Sequence, residues 1–310
     1  MVVKPAILLG NGFSRGFNEG MFSYSSLLAT AEFTERIQRV FKLLDTSDFE
    51  AVMAQLETTA SLLDAYQHGP SVEEALSVDV GRIRAGLIEA VGKHNPPDRY
   101  AVTEQQYDNA GAFLAKFREI YTVNYDTLLY WVHMARLNTQ IYKDGFGSSK
   151  VLWGYNDQNV HYLHGALHMF YEDGELHKIR SDGASIINEV QARIEDGEYP
   201  LYVAEGTPRQ KARFIKKDPY LRECLLSLRK NSRPLTIYGF NFNESDAHIV
   251  DAIAESPTRE LVVTFHRLAG KAQRDRVKDR ARRLHERMED SQGCRVALEF
   301  CAADELFNWG

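Results

Sequence analysis

Four short runs of apolar, β-prone residues, each stopped by a glycine or a compact polar turn, constrain this chain more than any other feature. Ala6-Ile7-Leu8-Leu9 closes on Gly10-Asn11-Gly12, and Ile120 to Val123 closes on Asn124-Tyr125-Asp126. Val160 to Leu163 closes on His164-Gly165, and Leu235 to Tyr238 closes on Gly239. Apolar runs of this length, bounded by turn signals, read as strands buried on both faces, the kind that fill a parallel sheet. Leu201 to Ala204, Leu261 to Phe265 and Arg295 to Phe300 are further candidate strands.

Between the runs, apolar residues recur at helical spacing. Phe33, Ile37, Val40, Phe41 and Leu44 share one helix face, and Phe49, Val52, Met53, Leu56 and Leu63 share another, with Ser47 and Glu50 as a candidate capping box. A third helix opens at Pro70, Ser71 and Glu74, carries Leu76, Val80, Ile83, Leu87 and Val91, and cannot pass Pro96-Pro97. Tyr107, Ala110, Leu114 and Phe117 mark a fourth. Helices are also expected over Leu128 to Ala135, Pro219 to Arg229 and Ala247 to Ala254. Ala272 to Met288 should form a charged helix solvated on most faces. Strands alternating with helices through the second half predict an α/β fold: a doubly wound, mostly parallel Rossmann-like sheet. The helices between about residues 25 and 118 form an all-α insertion after the first strand, and residues 1–310 form one domain.

Composition narrows the function classes. The 310 residues carry a formal net charge of −6, so no broad basic footprint for nucleic acid is present. No stretch is apolar enough to span a membrane, and Met1 to Gly10 lacks the regions of a signal peptide, which gives the expectation of a cytoplasmic protein. Cys224, Cys294 and Cys301 form no C-x-x-C pair, so neither a zinc module of that kind nor a disulfide framework is signalled.

The chemistry-bearing residues sit at the ends of the four runs. In an open parallel sheet those ends share one edge, where α/β proteins bind ligands. A Gly10-Asn11-Gly12-Phe13-Ser14 turn after a buried strand lets backbone approach a pyrophosphate closely, although Arg15 stands where the third glycine of G-x-G-x-x-G would be. The alternative is a plain strand-to-helix turn. In Thr122-Val123-Asn124-Tyr125-Asp126 the polar groups face the ligand edge or merely cap the next helix. His164 can accept a proton near neutral pH, or serve as a hydrogen-bonded structural histidine. A metal reading with His161, His168 and Asp157 is disfavoured because Gly165 breaks the helical continuity that would gather them; no metal is expected. Gly239-Phe240-Asn241-Phe242, followed by Asn243 and Asp246, suits a ribose or adenine edge, or forms an ordinary loop. Glu205-Gly206-Thr207 either reaches the same edge or caps a helix beginning at Pro208.

Taken together, these motifs resemble those of the sirtuin family. Gly10-Asn11-Gly12-Phe13-Ser14 resembles its Gly-Ala-Gly-x-Ser loop, Thr122-Val123-Asn124-Tyr125-Asp126 its Thr-Gln-Asn-Ile-Asp motif, and Leu163-His164-Gly165 its catalytic His-Gly. Gly239 and its turn look like the later glycine loop at the adenosine end. The likeness is nearest to the bacterial sirtuin-like proteins, many of which degrade NAD⁺ in antiphage defence. The resemblance implies that Gly10, Gly12 and Ser14 hold the diphosphate, with Asn11, Phe13 and Thr122 beside them. It implies that Asn124 positions water, Asp126 bonds the carboxamide, and His164 contacts the ribose and acts as base. Gly239, Phe240 and Asn241 would line the adenosine end. Two departures bear on the activity: the family's paired C-x-x-C zinc module and its Gly-Ile-Pro-Asp-Phe-Arg stretch are both missing, Phe17 to Ser23 standing in place of the latter. Both oppose protein deacylation. The expectation is therefore an NAD⁺ glycohydrolase whose partners are NAD⁺ and either further copies of itself or a defence-system protein. A non-catalytic NAD⁺ or ADP-ribose sensor is the alternative. The incomplete glycine pattern opposes a hydride-transferring dehydrogenase.

Overall fold

Every residue of the first strand, Ala6–Leu9, is buried, which only a central position between neighbours on both sides and helices on both faces provides. The computed structural model describes residues 3–18, 33–46, 49–66, 70–147, 150–151, 157–180, 185–203 and 208–310. Its strands in chain order are β1 Ala6–Leu9, β2 Glu119–Thr122, β3 Val160–Tyr162, β4 Gly165–Glu172, β5 Glu175–Lys178, β6 Pro200–Tyr202, β7 Leu235–Tyr238, β8 Glu260–Phe265 and β9 Ala297–Ala302. Six of them form a parallel sheet in the order β3-β2-β1-β7-β8-β9. That is the doubly wound Rossmann order, with its switch point between β1 and β7.

Register aligns the strand ends. Leu9 lies opposite both Thr122 and Tyr238, and Thr122 lies opposite Tyr162. The segments that follow, from Gly10, Val123, Leu163 and Gly239, therefore leave the sheet along one edge, as expected from the sequence.

The described elements between β1 and β2 are all helical. Described helices between β1 and β2 are α1 Gly12–Phe17, α2 Glu35–Leu43, α3 Phe49–Ala65, α4 Pro70–His94 and α5 Glu104–Leu114. Local chemistry sets their starts. The Thr34 hydroxyl accepts from the Ile37 N–H, and Thr103 and Gln106 form a reciprocal capping box. Phe33, Phe41 and Phe49 pack ring to ring beneath α2 and α3, and this cluster is continuous with the core under the sheet. Ser47, with the side chain of Glu50, and Glu205 to Thr207 lie outside the described residues and side chains.

Two expectations need correction. The run beginning at Leu201 is not part of the parallel sheet: β6 pairs antiparallel with β4 in a second sheet of order β5-β4-β6. A short apolar run signals burial on both faces and carries no information on which sheet supplies the neighbours. The charged helix is longer than expected, Lys271–Gln292, and is anchored by a buried stripe of Val277, Ala281, Leu284 and Met288. After β7 the chain forms a short 3₁₀ turn, Glu244–Asp246, which leads directly into the helix Ala247–Ala254. Among the described residues no helix is long and apolar enough to cross a membrane.

The C-terminal segment pins the first loop. The Trp309 indole N–H donates to the Phe13 carbonyl at 2.8 Å, and its ring packs on Phe13, Phe17 and Phe307.

Candidate functional site

The glycines of the first and last loops exist for each other. The Gly10 N–H donates to the Tyr238 carbonyl at 2.8 Å and the Gly12 N–H to the Gly239 carbonyl at 2.9 Å. A β-carbon on Gly12 would lie 2.5 Å from the Gly239 α-carbon, and one on Gly10 would lie 2.5 Å from the Gly239 oxygen. Gly239 itself has φ +64°, which side chains disfavour. These glycines therefore serve a loop-to-loop contact at the switch point, and the Gly12 N–H is already spent on it.

Asn124 ties the second loop to the first. Its side-chain N–H groups donate to the Gly10 carbonyl at 3.0 Å and the Ser14 hydroxyl at 2.9 Å, and its backbone N–H donates to the Thr122 hydroxyl at 3.0 Å. Ser14 is fully buried and donates in turn to Asp126 Oδ2, while Asp126 Oδ1 accepts from the Leu128 N–H at 2.9 Å. Burial pushes the Asp126 carboxyl above its ordinary value, opposed by these two donors and by its own backbone N–H. Both of its oxygens thus have partners within the protein, one of them the start of the helix Leu128–Arg136.

His164 follows β3 and is held by Gly165, whose φ of +74° and close approach to the Leu201 carbonyl leave no room for a side chain. The ring Nε2 meets His248 Nε2 at 2.8 Å. The backbone of Val123 also favours the protonated ring, as an acceptor does. Burial first, then His248 and Lys211, depress its pKa well below the ordinary histidine value, so the ring is neutral. His248, in the first turn of the helix after β7, is likewise depressed to about 4, chiefly by burial. Lys211, on the helix Pro208–Lys217, is buried, and its ammonium donates to Asp246 Oδ1 at 2.9 Å.

These groups surround a cavity of about 130 Å³ lined by Asn11, Asn124, Asp126, His164, Lys211, Gly239, Phe240, Asn241, Asn243 and Asp246, among others. Pockets that enclose drug-sized ligands run to roughly 300–1,000 Å³, so this one takes a single ring-sized group. Of the residues expected at the site, Asn11, Asn124, Asp126, His164, Gly239, Phe240 and Asn241 line it. Gly10, Gly12, Ser14 and Thr122 act one step behind, as the scaffold of the loops. Phe13 does not belong to the site: it is buried against Phe307 and Trp309, because the helix that starts at Gly12 turns it into the core. Phe242 holds φ +52°, a conformation costing of order 1–3 kcal/mol for a non-glycine residue, with its ring packed on Phe240.

Lys211 and His248 were missed, since a lone lysine or histidine on a helix has no distinguishing spacing. With Asp246, His248 and His164 bring three ligand-type atoms within 4.8 Å of one another. The rival trio does not converge. His161 stacks on Tyr121 beside Glu119, His168 lies between Tyr130 and Tyr162, and Asp157 is exposed and paired with Lys143.

A larger cavity, about 700 Å³, opens beside Glu119, Tyr121, His161 and Ser227, and Glu119 is the first residue of β2, at the other end of the strand from Asn124. Ser227, His161 and Glu119 are near one another there, but hydroxyl and carboxylate both address His161 Nε2, at 3.2 and 3.3 Å, and Nδ1 has no partner among the described residues. A nucleophile relay needs the two on opposite ring nitrogens, so size alone does not make this the better candidate.

No curated protein sequence matches the chain. A family model described as a domain of unknown function, DUF4917, matches residues 7–309. That span takes in every strand of both sheets but for the first residue of β1, the helices between β1 and β2 and all residues of the cavity, and the chain belongs to the DUF4917 family.

Proposed function

We propose that this chain is an NAD⁺ glycohydrolase that cleaves the bond between nicotinamide and ribose. The observation that carries the reading is that Asn124 and His164, from adjacent parallel strands, line one cavity at the ligand edge of the sheet. The sirtuin-like order of motifs supports it independently. In this reading the bond from the ribose anomeric carbon to the pyridinium nitrogen breaks, and its electron pair leaves with nicotinamide. A water oxygen bonds the same carbon, and the proton passes to His164. A neutral imidazole supplies the lone pair this requires, once the incoming hydroxyl or water displaces the His248 contact. Asn124 keeps its amide N–H groups on Gly10 and Ser14, leaving its carbonyl oxygen to orient the water. The cavity takes one end of the dinucleotide, against Asn11, Phe240 and Asn241 as well as Asn124 and His164, and the remainder extends outside it. The biological role that goes with this activity is NAD⁺ depletion in antiphage defence.

The test is release of nicotinamide from NAD⁺ by the wild type, compared with Asn124→Ala and His164→Ala of unchanged thermal stability. Loss in both supports the assignment, and full activity in both rejects it. A second reading, an NAD⁺ or ADP-ribose sensor, is favoured by one observation: His164 Nε2 is engaged by His248 in this state. Stabilisation by NAD⁺ in a thermal shift without turnover would select it.

A further inference from the structure

His164, Asp246 and His248 are brought together by three different pieces of backbone: the turn between β3 and β4, the 3₁₀ turn after β7, and the first turn of the following helix. The two imidazoles face each other through Nε2 at 2.8 Å, and a carboxylate oxygen of Asp246 completes a triangle within 4.8 Å. We propose that these three side chains form a binding site for a divalent transition-metal ion, with zinc as the test ion, and that Lys211 is its built-in competitor.

The donor set selects the class of ion. Two imidazoles and one carboxylate suit zinc, iron, copper or nickel, whereas magnesium and calcium prefer oxygen-only shells. The spacing is close to what such an ion needs. Zinc–nitrogen bonds of about 2.05 Å at a tetrahedral angle place two nitrogens roughly 3.3 Å apart, so the histidine pair opens by only about half an ångström. Two facing Nε2 atoms share only one hydrogen, so an ion between them displaces a single hydrogen bond.

The backbone of Val123 favours the protonated His164 ring, as an acceptor beside a metal-bound histidine would. His164 and Asp246 both line the cavity, so the ion has a route in. Against it stands the buried Lys211 ammonium on Asp246 at 2.9 Å. That cation holds the carboxylate and repels a second positive charge, so the site is poised rather than permanently filled. Zinc there would occupy the lone pair of His164 and so inhibit the glycohydrolase, a consequence that rests on the reading above; the site itself does not.

The experiment is calorimetric titration of the full chain with zinc chloride alone, without NAD⁺. One equivalent should bind reversibly to EDTA, and magnesium should give no comparable heat. His248→Ala and Asp246→Asn should each weaken binding by at least the roughly 10–100-fold that losing even an outer-shell partner costs. Lys211→Met should tighten it severalfold. Thermal melts without zinc establish that each variant is folded, and Asp246→Asn preserves the test should His248→Ala not fold. A wild type that binds no zinc, or equal affinity across all the variants, overturns the site. Because no turnover is measured, this result is separable from any failure of the glycohydrolase reading.

Discussion

Gly12 and Gly239 meet backbone to backbone, the N–H of the first donating to the carbonyl of the second at 2.9 Å, and no side chain fits at either position. The contact joins the loop after β1 to the loop after β7 at the switch point of the sheet. Gly239→Ala should therefore destabilise the protein by at least the roughly 1–3 kcal/mol of a residue forced into a left-handed conformation. Gly12→Ala should do so through the clash alone. Urea denaturation measures both. A loss below about 0.5 kcal/mol at both positions would mean that the loops separate freely.

Trp309 extends the same scaffold from the far end of the chain. Trp309→Ala removes its packing on Phe13, Phe17 and Phe307 and its hydrogen bond to the Phe13 carbonyl, and should cost about 3–5 kcal/mol. Trp309→Phe keeps most of the packing and should cost only about 1–2 kcal/mol. Because Phe13 lies between Gly12 and Ser14, the alanine variant should also lose nicotinamide release more steeply than the phenylalanine variant.

Buried neutral histidines make stability depend on pH. His168 is fully buried, its ring nitrogens have no partner among the described residues, and burial together with Lys178 depresses its pKa to about 3. Burial also lowers His133 and His161. The unfolded chain takes up a proton near pH 6.5 and the folded chain does not, so stability is complete above pH 6.5 and falls as pH drops toward 3. Between pH 6.5 and 5, His168 alone should account for a loss on the order of 2 kcal/mol. Denaturation of wild type and His168→Leu across that range tests this. The variant should show the shallower slope, and parallel slopes would refute the assignment.

Much of this architecture was legible in the residues themselves. Ala6–Leu9 is apolar throughout, the run before Asn124 and Leu235–Tyr238 are β-prone with a single threonine each, and glycine or polar turns mark where each ends, as strands buried on both faces do. Those two signals place Asn124, His164 and Gly239 on one edge. What was hidden follows from physics that sequence does not display. β6 is as apolar as a parallel strand, yet hydrogen-bonds to β4. Phe13 reads as part of a ligand loop, yet the helix beginning beside it turns its ring inward. The spacing of Gly10 and Gly12 suggests room for a phosphate, while in the fold Gly239 occupies that room. Lys211 reaches the cavity, and His248 the His164 ring, only through the docking of two helices.

The glycohydrolase reading turns on whether His164 performs chemistry or only packs. The decisive measurement is nicotinamide released from NAD⁺ by the wild type and by His164→Ala at matched fold. The expected result is release by the wild type with one ADP-ribose per nicotinamide, and a fall of roughly 10²–10⁴ in the variant, the span a positioned proton acceptor contributes. Undiminished release by a folded His164→Ala protein, or no release by the wild type at saturating NAD⁺, would contradict it.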